Sequence, residues 1–153
     1  MRKIFGVADI EKLGMSRGLN KKLESKGILP KASISVDGPP KPSEYSRGDL
    51  YLRAVFKHLV NSGFSWEAAK YRLWGRGPKK SWFNCTAEKI TSRYLCFPRY
   101  DYIPPGKSYS VVVPFDEFER LDYIFSFDDL EFDDLVVANW RNIRAEVDEI
   151  LDR

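Results

Sequence analysis

The stretch VADIEKLGMSRGLNKKLESKGILP, residues 7–30, decides how the first half of this 153-residue chain folds. Its first part places Val7, Ile10 and Leu13 at helical spacing, so that all three share one face of a short helix. The pattern stops at Gly14, a residue type that commonly ends helices. We therefore predict a short amphipathic helix that is followed at once by a tight turn.

The second part of the stretch predicts another helix. Ser16 is suited to act as its N-cap, and Gly27 is expected to end it. Leu19 and Leu23, four residues apart, are expected to face the core. Two short helices joined by a tight turn form a helix-turn-helix. At 100° per residue the opposite face of the second helix is basic and polar. The residues expected on or beside that face are Arg17, Asn20, Lys21 and Ser25.

A hairpin and two more helices are expected to complete the first half. Residues 32–36 alternate as a strand does, turn at 37–38 and return through a proline-rich segment to Tyr45, which predicts a wing. Two helices follow, each opened by a serine cap, at Ser46 and Ser65. The predicted order is helix, turn, helix, wing, helix, helix.

Charge is divided unequally along the chain. Residues 1–80 hold 17 Lys and Arg against 7 Asp and Glu, a balance of +10, while residues 81–153 hold 8 against 15, a balance of −7. The sign changes at a segment that combines helix breakers with positive charge. We therefore predict a domain at 1–74, a basic linker at 75–80 and an acidic module at 81–153. A basic half is typical of a domain that binds a polyanion.

The second half is rich in aromatic residues, holding 14 of the chain's 22. Residues 93–97 and 109–113 have strand patterns. The last segment predicts a long helix whose apolar seam suits either the module's own core or a partner helix in a homodimer. The seam residues are Val136, Trp140, Ile143, Val147 and Ile150. The predicted fold class is α+β: a winged helix-turn-helix of four short helices with a β-wing, then a small α+β module that ends in a long helix.

Four motifs of the first half carry a family resemblance. They are ADIEKLGMS at 8–16, ESKGILP at 24–30, YSRGDL at 45–50 and GFSWEA at 63–68. In their order and separations these motifs resemble those of the MerR-type DNA-binding domain, and the resemblance covers about half the chain. It implies a DNA-binding transcriptional regulator, bacterial or phage, whose second helix enters the major groove of double-stranded DNA.

The resemblance and the basic face together predict a set of DNA-binding residues. The helix at 16–26 is expected to meet base edges and phosphates, and the wing is expected to add contacts to the phosphate backbone. The family usually has an arginine where this chain has Gly18. Because lysine lacks the bidentate geometry for guanine, Arg17 is the candidate for reading a base edge. The predicted residues are Ser16, Arg17, Asn20, Lys21, Lys22, Lys26, Lys31, Ser33, Lys41, Ser43, Tyr45 and Arg47.

Two other functions stay open at this stage. Similar winged helices occur in phage excisionases and small terminase subunits, which bend or mark DNA without regulating a promoter. The acidic second half is also suited to docking another protein, as an adaptor would. Binding to a palindrome favours the regulator, strong bending of non-symmetric sites favours the DNA-processing factor, and lack of DNA affinity at low salt favours the adaptor.

No catalytic pattern stands out. The single histidine, His58, falls at the margin of an apolar stripe, and the chain has no phosphate-binding glycine loop or nucleophile elbow. Cys85 and Cys96 lack the paired spacing of a zinc site, so neither a metal nor a cofactor is expected. With no catalytic motif, we expect a non-enzymatic protein. Because no apolar run is long enough to cross a bilayer and no signal-peptide pattern is present, we expect it to be cytoplasmic.

Overall fold

The computed structural model describes five stretches of the chain. They are residues 4–31, 44–74, 89–99, 113–116 and 134–153. Within them the protein is a mixed α+β structure, as predicted, and no helix there is long and apolar enough to cross a membrane. The predicted wing residues Ser33, Lys41 and Ser43, the linker at 75–80 and residues 109–112 of a predicted strand lie outside the described residues.

Four helices occupy the first half at the predicted places. They are α1 (Val7–Lys12), α2 (Arg17–Ser25), α3 (Arg47–Asn61) and α4 (Trp66–Trp74). Ser16, Ser46 and Ser65 each accept a hydrogen bond from the backbone amide three residues further on, which confirms the predicted caps. Gly14 adopts a φ of 87° after α1, a left-handed conformation that favours glycine and turns the chain sharply into α2.

A three-stranded antiparallel sheet lies in the second half. Its strands are β1 (Tyr94–Arg99), β2 (Val113–Phe115) and β3 (Asp134–Ala138), and β1 is the central one. The prediction of one continuous helix from Val136 is wrong at its start. Val136 belongs to β3, where β-branched residues are favoured, and the last helix, α5 (Trp140–Leu151), begins only after the Asn139 cap.

The apolar seam of α5 packs against the first half of the same chain. Trp140 and Val147 are buried, whereas Val136, Ile143 and Ile150 are partly buried. The Trp140 ring meets that of Tyr51 in α3 edge to face, with centroids 5.3 Å apart and planes at 84°. Described residues of both predicted halves thus share one core cluster. Part of the seam thus packs inside the chain itself, and the homodimer through this seam stays a prediction.

A polar cluster fastens α5 to α3. Arg47, only 6% exposed, donates from Nη1 to Asp148 at 2.7 Å and from Nη2 to Asp152 at 2.8 Å. The Tyr51 hydroxyl also donates to Asp148. Burial, reinforced by that carboxylate, raises the pKa of Tyr51 to about 12. Arg47 therefore does not lie on the DNA-binding surface that the sequence predicted, because its guanidinium is turned inward onto α5.

The free thiol of Cys96 lies in the central strand β1. It is fully buried, and that burial raises its pKa to about 11. A buried thiol that is not ionised at neutral pH is a poor nucleophile and a poor metal ligand. Cys96 is therefore a packing residue of the sheet.

Candidate nucleic-acid interface

The helix α2 faces the core with a different side from the one predicted. Leu23 is fully buried as expected, but Leu19 is 36% exposed and Asn20 only 2% exposed. The apolar spacing predicts the reverse for these last two residues. The cause is a hydrogen-bond network that holds the Asn20 amide inside, since a buried amide needs partners. Asn20 therefore orients α2 and does not face outward toward DNA, which corrects the prediction.

Asn20 is the centre of a network that joins α2 to two other parts of the chain. From α3, Arg53 Nε donates to Asn20 Oδ1 at 2.8 Å. The Asn20 Nδ2 group donates to the Glu24 carboxylate at 3.0 Å and to the Tyr45 hydroxyl at 3.2 Å. That hydroxyl in turn donates to Glu24. Because the partners belong to separate segments, the network fixes the position and the rotation of α2.

Arg53 closes the network from the side of α3. It is 1% exposed and also donates to the backbone carbonyls of Pro30, at 2.9 Å, and Asp49, at 3.2 Å. Burial lowers the pKa of Arg53 from its ordinary value, and the Glu24 carboxylate, 3.8 Å away, opposes that shift. An arginine remains protonated in proteins. The network therefore encloses one cation together with one carboxylate.

Tyr45 belongs to this interior as well. It is 1% exposed and exchanges two backbone hydrogen bonds with Phe5, at 2.9 and 3.0 Å. Its ring lies 4.6 Å from the Arg53 guanidinium, within cation–π range. Burial raises the pKa of the Tyr45 phenol and also that of Glu24, where desolvation outweighs the opposing effect of Arg53. The predicted DNA contact by Tyr45 is thus corrected, because ring and hydroxyl are both used inside.

The outer side of α2 is exposed and positively charged. We call this surface the basic face and define it by Ser16, Arg17, Lys21, Lys22, Lys26 and Lys31, all of which are exposed. The one acidic residue of α2, Glu24, points into the network, and its side chain is 11% exposed. Glu11 of α1 pairs with Arg17 at 3.3 Å, with both side chains largely in solvent. Such an exposed pair is weak and is readily exchanged for a phosphate partner.

Two lysines of the basic face are held over an aromatic ring. The Nζ atoms of Lys22 and Lys26 lie 5.6 and 5.8 Å from the centre of the Trp66 ring at the start of α4. These distances are within cation–π range. Trp66 is itself only partly buried, and its ring positions these two charges. That role depends on the approach of α4 to α2, which no local sequence pattern reveals.

A groove of about 420 Å³ runs along the edge of the basic face. The residues that line it include the cations Arg17, Lys21 and Lys31 and, from the buried network, Glu24 and Tyr45. The remaining lining residues are Val7, Asn20 and Ser25.

The structure sorts the twelve predicted DNA-binding residues into three groups. The six residues of the basic face lie together on the surface, Asn20, Tyr45 and Arg47 are buried, and Ser33, Lys41 and Ser43 lie outside the described residues. Comparison with known protein families and with curated proteins finds no match for this chain. The functional argument therefore depends on the geometry and charge of the basic face.

Proposed function

We propose that this protein binds double-stranded DNA by inserting α2 into the major groove. The observation that carries the proposal is the basic face itself, on which one arginine and four lysines are exposed around a helix whose only acid is turned inward. An α-helix fits the width of the major groove, and cationic side chains on that helix meet the phosphates on both sides.

The scaffold beneath α2 supports the same proposal. A helix that reads DNA has to present its side chains in a fixed orientation, since contact geometry decides both affinity and selectivity. The network of Asn20, Glu24, Tyr45 and Arg53 supplies that orientation from below. In this proposal α1 and α2 form the helix-turn-helix, as in the MerR-type domain that the sequence resembles.

The test is DNA affinity in variants that separate local charge from total charge. We would substitute Lys21, Lys22 and Lys26 together by glutamine and compare this triple variant with the wild type. A matched control substitutes three exposed cations of the second half, Lys89, Arg141 and Arg153. Both variants lose the same charge, so they differ only in where it is removed. Circular dichroism would verify that both keep their helices.

Binding would be measured by fluorescence anisotropy on a duplex of about 20 base pairs, two turns of B-DNA. At about 50 and 200 mM salt, the wild type is expected to lose affinity steeply, and each phosphate-bound lysine contributes roughly 0.9 to the log–log slope. We expect the α2 triple variant to lose both affinity and slope, and the control variant to keep most of each. Equal losses in the two variants, or no binding by the wild type at low salt, would contradict the proposal.

The biological role of such binding divides into two candidates. A transcriptional regulator that binds a palindrome needs a dimer to match the two half-sites. The packing of Trp140 against Tyr51 favours the second candidate, a DNA-bending or DNA-processing factor that binds as a monomer, because part of the predicted dimer contact is used inside the chain. Binding-site selection followed by gel analysis of bending distinguishes them: a symmetric site without bending supports the regulator, and a non-symmetric bent site supports the processing factor.

A further inference from the structure

Gly18, in the first turn of α2, has no structural reason to be glycine within the described part of the chain. Its φ is not among the positive ones, unlike those of Gly14, Gly27 and Gly63. A Cβ at Gly18 would meet no heavy atom within 4 Å. Glycine in a helix interior costs about 1 kcal/mol relative to alanine, and in the first turn it costs up to that amount. Among the described residues nothing requires glycine at this position, and the missing side chain leaves room for another molecule to approach the helix closely.

Leu19, the next residue, is exposed although it is large and apolar. Of the described residues only Leu19 and Ile4 are exposed large hydrophobic side chains, at 36% and 49%. The Asn20 network causes this exposure, because it turns Asn20 inward and thereby turns Leu19 outward. Leu19 and Lys22 are three residues apart and so are neighbours on the helix surface. An apolar contact group thus lies directly beside the basic face.

This arrangement fits one feature of DNA. In the major groove, thymine presents the only apolar group of the four bases, its 5-methyl. A helix without a side chain at Gly18 is able to approach the groove floor closely, while the neighbouring lysines meet the phosphates. We infer that the first turn of α2 recognises thymine, with Gly18 giving clearance and Leu19 contacting the 5-methyl group. This inference rests on the proposed DNA binding and adds to it the base that is read.

The probe for Leu19 is a pair of duplexes of about 20 base pairs. One carries the sequence that the wild type selects, and the other has uracil in place of thymine, so that only the 5-methyl groups differ. The wild type is expected to bind the thymine duplex about fourfold more tightly for each methyl group that it buries. Leu19→Ala is expected to lose that preference while its affinity for the uracil duplex changes little. Ile4→Ala, at the other exposed hydrophobic residue, is the matched control and should keep the preference.

Gly18→Ala provides the second measurement, with two readouts of opposite sign. Alanine should stabilise the helix and raise Tm by up to about 2–4 °C, since the site has room for a methyl group. The same methyl should weaken DNA binding about tenfold, as an added group does in a tightly packed contact. Asn142→Ala, in the exposed first turn of α5, is the control in which added helix propensity leaves DNA affinity unchanged.

The possible outcomes distinguish a failure of the thymine contact from a failure of DNA binding itself. If the wild type binds neither duplex, the proposed DNA binding fails and the inference falls with it. If the wild type binds thymine and uracil duplexes equally, or if Gly18→Ala binds as tightly as the wild type, DNA binding stands and only the thymine contact is overturned. Loss of the thymine preference in Leu19→Ala but not in Ile4→Ala, together with the opposite shifts in Gly18→Ala, supports it.

Discussion

Two arginines of the same helix, Arg53 and Arg47, hold its two neighbours in different ways. Arg53 is enclosed at 1% exposure and is shared among a side-chain amide, two backbone carbonyls and one nearby carboxylate. Arg47 binds the carboxylates of Asp148 in α5 and of Asp152 just after it, but those side chains are 31% and 42% exposed. One arginine therefore fixes α2 from inside the core, and the other ties α5 at the edge of the core.

The difference decides how each contact responds to solvent. Charges that face water are screened by it, whereas an enclosed cation depends on its protein partners. Burial alone would lower the pKa of Arg47, but the hydrogen bonds to Asp152 and Asp148 outweigh it and raise that pKa. For Arg53 burial dominates, and its pKa is lowered. The helix α2, which presents the basic face, is thus held by the contacts of Arg53, and these are less accessible to solvent than the contacts of Arg47.

The largest expected effect is that of Arg53→Met. The variant keeps an apolar stem like that of arginine but leaves Glu24, the Asn20 amide and the Pro30 carbonyl without the guanidinium that they contact. Removing one member of a buried charged network costs about 3–5 kcal/mol. The free energy of unfolding, measured in urea, should fall by that amount, and DNA affinity should fall with it because α2 loses its orientation. A fall below about 1 kcal/mol, the size of a surface ion pair, would contradict the enclosed role of Arg53.

Arg47→Met should have a smaller effect in the same measurement. Its two hydrogen bonds go to carboxylates that remain hydrated when the arginine is removed, so we expect a loss of about 1–2 kcal/mol. Hydrogen exchange should show that protection falls in α5 and stays unchanged in α2. Arg141→Met, at an exposed position of α5, is the control. If Arg47→Met costs as much as Arg53→Met, the two contacts do not differ as described.

The smallest expected effect is the pH dependence of stability that the buried Glu24 carboxylate causes. Because burial raises the folded-state pKa of Glu24 above its ordinary value of 4.5, the folded protein holds this proton more tightly. The contribution of Glu24 to stability is therefore full below pH 4.5 and is lost as pH rises through the raised value. Glu24→Gln does not titrate, so its stability relative to the wild type should increase with pH over that window. A stability difference between Glu24→Gln and the wild type that stays flat with pH would contradict the burial of this carboxylate.

Local signals were sufficient to predict most of the first half. The serine caps at Ser16, Ser46 and Ser65 and the glycine after α1 act within three or four residues, so the sequence contains them directly. These signals place all four helices. They do not determine which side of a short helix faces the core when a polar residue competes with an apolar one.

Asn20 and Leu19 illustrate that limit. The apolar period favours Leu19 for the interior, but Asn20 receives partners from Tyr45 and Arg53, which are 25 and 33 residues away. Only the tertiary fold brings those donors and acceptors together. The same holds for the α5 seam, whose spacing predicts an apolar surface without identifying the surface that covers it. The sequence was thus sufficient to predict which lysines belong to the candidate site, but not how α2 is rotated about its axis.

The central claim, that the basic face of α2 is the DNA-binding surface, is tested most directly by NMR. A short duplex would be titrated into the labelled protein while backbone amide shifts are followed. We predict that the largest shift changes occur at residues 16–26 and at Lys31, and that these changes decrease as salt is raised. The shifts of residues 140–151 in α5 should stay unchanged. Shifts concentrated in α5, or no shifts in α2 at low salt, would contradict the account.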